Sequence, residues 1–166
     1  MGRTIDLLDW RDLEVVAPEI ARLGAARLDS TRVAMMGTVC RDGSPRISPI
    51  EPYIANGYLL VGAMAWSAKA ADLRRDSRYT LHSAVTGPDA GEGELKLRGL
   101  AVVADADLRN QAADSWWSAH SSDKAIVFVL RIGHALFVAW DIQRGEMTVH
   151  RWSPRGGYGR TARNYP

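Results

Sequence analysis

The sequence predicts a mainly β domain with flanking helices, an α+β chain whose strands close as an antiparallel barrel. Two hairpin signals, Asp42-Gly43 and Asn56-Gly57, separate short apolar runs. The segment Glu94-Leu-Lys-Leu-Arg98 alternates with the period of a strand. Hairpin-linked strands of this kind favour an antiparallel barrel over a doubly wound parallel sheet.

One domain, 1–166, accommodates the whole length, and 46% hydrophobic with 24% charged residues is the balance of a packed globular protein. The expected organisation is a helical segment at 10–29, a barrel over about 31–152 and a tail at 153–166. In the first segment Ile20, Leu23, Arg27 and Leu28 recur at three-to-four spacing, and Pro18 suits a first helical turn, with room for a short helix before it. The run Val33 to Cys40 reads as a strand, the Asp42-Gly43 turn follows, and a second strand is expected from Pro45 to Ile54. Pro49 and Pro52 lie inside it, so it must bulge or leave ladder positions without a partner. After Asn56-Gly57, Tyr58 to Met64 forms a third strand.

Ser67 can cap a helix through about Asp76, with Ala68, Ala71 and Leu73 for packing and Lys69, Asp72, Arg74 and Arg75 for solvent. Tyr79 to Val85 is a fourth strand, leading through a Gly-rich loop to the alternating segment, where Leu95 and Leu97 point in and Glu94, Lys96 and Arg98 point out. A helix is expected over 105–120. Ala125 to Ile142 then reads as one bent strand or two, and Met147 to Trp152 as the last of about seven.

A net charge of +2, with basic residues scattered apart from Arg151, Arg155, Arg160 and Arg163, does not suggest nucleic acid. No apolar run suits a signal peptide or a membrane span, and Cys40 is the only cysteine, so a cytoplasmic protein is expected. His82, His120, His134 and His150 have no metal-ligand spacing. Gly157 to Ala162 loosely matches a dinucleotide fingerprint, yet it opens no helix within a βαβ unit and reads as a flexible or strapped-down tail.

The informative stretch is Arg46-Ile47-Ser48-Pro49-Ile50 followed, after a hairpin, by Trp66-Ser67-Ala-Lys69-Ala-Ala-Asp-Leu73. An Arg on a strand and Ser-x-Lys at a helix start can supply the cationic donors, neutral donors and dipole that a phosphate dianion needs. Taken alone, Ser67-x-Lys69 reads more readily as an ordinary capped helix start. The run from about Thr31 to Val103 nevertheless resembles the pyridoxamine-phosphate-oxidase-like flavin-binding split barrels in the order and spacing of these motifs. That resemblance implies an antiparallel split β-barrel of the FMN-binding type. It places Arg46, Ile47, Ser48, Pro49, Gly62, Ala63 and Glu94 around the flavin, with Ser67 and Lys69 on its phosphate.

The departures bear on the reaction. The classical oxidase has a Lys at the position of Glu51, and its substrate-phosphate residues are replaced by Trp116 and His120 on the late helix and by Thr148-Val149-His150 near the end. Trp116, His120 and His150 remain substrate-side candidates, His120 and His150 because histidine titrates near neutral pH. A surface or satisfied histidine, and tryptophans that serve packing, are the ordinary readings. The expected function is an FMN-dependent oxidoreductase acting by hydride transfer on a small molecule other than pyridoxine phosphate, working as a homodimer without nucleic-acid or membrane partners. The alternatives are a deazaflavin coenzyme on the same fold and a non-enzymatic flavin- or haem-binding protein.

Overall fold

The computed structural model describes residues 7–85, 93–115 and 124–165. Two helices open the chain, α1 (Trp10–Val16) and α2 (Pro18–Thr31), with Pro18 in the first turn of α2. Trp10, Leu13, Ile20 and Leu28 are buried on their inner face. Arg27 shares that face, as its spacing predicts, and its guanidinium is satisfied there by the carbonyl of Ala84, which accepts at 3.0 and 2.7 Å.

Among the described residues nine strands follow: β1 (Ala34–Val39), β2 (Pro45–Ile50), β3 (Pro52–Ala55), β4 (Tyr58–Met64), β5 (Arg78–Ser83), β6 (Gly93–Val103), β7 (Ala125–Asp141), β8 (Glu146–Ser153) and β9 (Gly157–Asn164). Helices α3 (Ala68–Arg75) and α4 (Ala106–Ser115) interrupt them. All the pairings are antiparallel, in the order β2-β1-β5-β6-β7-β4-β3, with β8 and β9 continuing from β7. The turns that set the hairpins are those the sequence marks. Gly43 takes φ +86°, and Asn56 and Gly57 take φ +52° and +79°, the paired left-handed conformations of a type I′ turn.

The topology itself creates a cleft. β2 and β3 are joined through Glu51 alone, yet they occupy opposite ends of the strand order. The sheet must therefore curl until its two ends meet, and where they meet they do not pair: a split barrel. The expected strand from Pro45 to Ile54 is thus two strands. A proline at 52 cannot continue the ladder to β1, and the chain crosses the split to pair with β4 instead, Pro52 opposite Val61. The closed interior holds Met36, Leu59, Leu81, Leu95, Leu97, Phe128, Leu130 and Ile132, all fully buried.

Two further expectations change, and one is settled between its alternatives. The tail at 153–166 is largely a strand: β9 pairs residue by residue with β8, from Ser153 opposite Gly157 to Glu146 opposite Asn164. Ala125 to Asp141 is one strand, whose irregularity is a register shift opposite Arg98 and Gly99 of β6. In α3, Ala70, Asp72 and Leu73 are the buried residues, whereas Ala68 and Ala71 are exposed. The expected Gly-rich loop, Trp116, Trp117 and His120 lie outside the described residues, apart from Gly93.

Candidate functional site

A cleft of about 510 Å³ opens at the split. Pro49, Ile50 and Glu51 form one wall, Gly62, Ala63 and Met64 the other, and Ser67 and Lys69 close one end beside Trp66. β4 pairs with β3 only through Tyr58–Val61, so no described strand pairs with that edge of Gly62–Met64. The outer edge of β2 is likewise without a described strand partner. Peptide groups on such edges must find another partner or water, which makes the walls suited to the polar rim of a flat ligand.

The closed end is polar. Ser67 is the N-cap of α3, its Oγ accepting from the backbone N–H of Ala70 at 3.3 Å. Lys69 arches across to donate from Nζ to the carbonyl oxygen of Pro49 at 2.6 Å. It is half-buried rather than fully solvated, and burial pushes its pKa below the usual lysine value while the nearby Glu51 carboxylate acts in the opposite direction. A partly dehydrated ammonium at a helix start is a strong attractant for a dianion.

Arg46 stands outside the lining. Its Nε donates to Oδ2 of Asp72 at 2.7 Å, and Asp72 also accepts from Thr38 Oγ1 at 3.0 Å and from Arg75 Nη2 at 3.1 Å. Arg75 reaches on to the carbonyl of Val39. Burial alone would push the Asp72 carboxyl up, but the hydrogen bonds from Arg46, Arg75 and Thr38 prevail and hold it below the ordinary range. Asp72 is therefore buried, against the expectation of a solvent-facing residue. The three-residue spacing of Lys69, Asp72 and Arg75 puts one helix face on the first hairpin, and the network bolts α3 there with Ser67 and Lys69 at the cleft.

Of the remaining residues, Ile47 is 71% exposed on the outer face of β2, Ser48 is half-buried opposite Met36, and only Pro49 of that trio lines the cleft. Glu94 sits elsewhere on the sheet, paired with Lys96 at 2.5 Å and His82 at 3.2 Å. Met64 and Val33 line the cleft, although sequence reasoning did not assign them to it, and Glu51 lines it as the departure that the resemblance set beside the cofactor. The strand break at Pro52 is the signal that brings Glu51 there.

His150 does not face this cleft. It is 6% exposed, and its Nδ1 lies 2.8 Å from the Tyr158 hydroxyl. Burial lowers its pKa; Glu19 opposes the shift, while Arg160 and Arg22 reinforce it. A histidine whose folded pKa lies below its unfolded value favours folding in its neutral form, so stability is lost as pH falls from about 7 toward 5. Denaturant titrations at those two pH values should show this loss, and His150→Gln should reduce it. An unchanged pH dependence in the variant would refute the assignment.

No family model matches the chain, and no curated protein gives a significant match. Solved structures do match. PhzG from Burkholderia lata, in complex with tetrahydrophenazine-1-carboxylic acid, superposes with a TM-score of 0.67 at 12% identity, covering 99% of this chain and 97% of its own. A heme binding protein from Mycobacterium smegmatis gives 0.60 at 15% identity, with 89% and 87% covered. A NimC/NimA family protein from Clostridium acetobutylicum gives 0.58 at 11% identity, with 92% and 98% covered. Identities this low speak to architecture, and the architecture is shared over nearly the whole chain: the fold is that of the pyridoxamine 5'-phosphate oxidase-like split barrels.

Proposed function

We propose that the chain is an FMN-dependent oxidoreductase that holds the flavin in the cleft at the split. The observation that carries this reading is the meeting of two strand edges that have no partner strand among the described residues with a capped helix start and a half-buried lysine at one end. The edges of β2 and of Gly62–Ala63 meet the polar rim of the ring, and Ser67 and Lys69 take the phosphate. Arg46 positions that anchor through Asp72, and Ile47 and Ser48 support the wall through their backbone. FMN supplies hydride chemistry when bound. The chain's own part is to bind, orient and shield, which calls for no nucleophilic side chain.

Two of the neighbours suggest what else such a barrel can hold. One is a heme binding protein, but of the residue types that commonly ligate haem iron (His, Cys, Met and Tyr) only Met64 is among the described residues lining this cleft. PhzG carries a fused-ring carboxylic acid, and a planar substrate suits the exposed indole of Trp66 at the mouth. Glu51 beside Lys69 leaves the lining with balanced charge, which disfavours a second phosphate and hence pyridoxine phosphate.

The absorption spectrum of the purified protein and the mass of any released ligand test the reading. Flavin bands and the mass of FMN are the expected result, and failure to bind added FMN would overturn it.

A second copy completes the site in this proposal. Val33, just before β1, and Met35 and Ile47, on the adjoining strands β1 and β2, are 39%, 40% and 71% exposed beside the cleft, with Met35 opposite Pro49 and Gly37 opposite Ile47. Apolar residues clustered at a cofactor mouth favour a two-fold contact. Light scattering should give twice the chain mass, and Ile47→Asp should shift the protein toward monomer and weaken FMN. A wild-type monomer that binds FMN fully would contradict the dimer.

A further inference from the structure

A second cavity, also of about 510 Å³, lies over β5 to β8, and its lining shares no residue with the first. Its composition follows from register. His82 pairs with Lys96, Lys96 with Leu136 and Leu136 with Arg151, while in the next row Thr80 pairs with Arg98 and Arg98 with His134. Side chains directly opposite in antiparallel strands share a face. Four strands thus present Lys96, Arg98 and Arg151, with His82 and His134, to one cavity.

The charges there are not balanced. Glu94 engages Lys96 and His82 at one end. Among the described residues no carboxylate pairs with Arg98 or Arg151. Arg98 instead stands opposite His134, whose pKa is lowered by burial and further by the Arg98 guanidinium. The imidazole gives Arg98 no counter-charge, and an anion seated between the strands supplies the missing charge-assisted partner. Leu136 and Trp152 add apolar and aromatic lining.

We infer that this cavity is a second binding site, for an organic anion with a carboxylate or phosphate head gripped by Arg98 and Arg151 and a ring-sized apolar body against Leu136 and Trp152. The volume falls within the span of small-molecule pockets, roughly 300 to 1,000 Å³.

The test follows the imidazole proton resonances of His82 and His134 by NMR in the full-length protein as 1-naphthoate, 1-naphthyl phosphate or neutral 1-naphthol is added. Saturable shifts with one or both anions, and not with 1-naphthol, are expected, and the tighter anion identifies the preferred head. Arg98→Gln and Arg151→Gln should each weaken the anion roughly tenfold. Both side chains are solvent-exposed, and the wild-type comparison of anion with 1-naphthol stands without either variant. Equal shifts with 1-naphthol, undiminished affinity in both variants, or competition by FMN, which would assign the effect to the first cleft, would each overturn the site.

Discussion

Gly99→Ala is expected to destabilise the barrel by about 3 kcal/mol or more, the upper end of what overpacking costs. A methyl group at this position would lie 1.8 Å from the carbonyl oxygen of Arg131 and 3.0 Å from the nitrogen of Gly133. Both are backbone atoms of β7, and neither can swing away as a side-chain tip can. The position coincides with the register shift between β6 and β7, where Arg98 faces His134 and Gly99 faces Ile132. Without a side chain at 99 the two backbones approach closely enough to change register without losing the ladder.

Gly43→Ala provides the contrast. Gly43 has φ +86° but nothing within 4 Å of an added methyl group, so only the left-handed conformation is penalised, by about 1 kcal/mol. Urea denaturation of the two variants should rank them in that order. A Gly99→Ala protein as stable as wild type would mean that the strands do not approach as described.

What the sequence revealed was local. Asp42-Gly43 and Asn56-Gly57 announce their turns because positive φ is a property of one or two residues. Leu95 and Leu97 announce the inner face of β6 because period-two alternation is written in a single strand. β9 is illegible in the sequence because Gly157 to Asn164 has no apolar alternation, and it is held to β8 by a backbone ladder while its own residues stay mostly exposed. The crossing from β2 to β3 was half legible. Pro52 marks where the ladder to β1 ends, while Pro49 is carried inside it opposite Met35, and where the chain goes after the break depends on closure of the whole sheet.

The same distinction governs the candidate site. Ser67 and Lys69 could be placed at a helix start from their own neighbourhood. The partner of Arg46 could not, since Asp72 is 26 residues away and a charged residue on a short helix reads as solvated until the hairpin packs on it. Glu94 illustrates the limit of motif matching: its nearest charges, Lys96 and His82, belong to the face that holds the second cavity.

Lys69→Ala probes the phosphate anchor directly. A charge-assisted hydrogen bond to a dianion contributes on the order of 1.5 to 3 kcal/mol, roughly one to two decades in affinity. The half-buried lysine also gives up one hydrogen bond to Pro49 when truncated, so a loss of about 1 kcal/mol in folding stability is expected alongside. Riboflavin has the same ring without the phosphate, so any general damage to the cleft weakens both ligands alike. The decisive measurement is a set of fluorescence titrations of FMN and riboflavin against wild type and Lys69→Ala. The account predicts that FMN weakens by one to two decades, as estimated above, while riboflavin scarcely changes; equal losses for both ligands, or no loss for either, would contradict it.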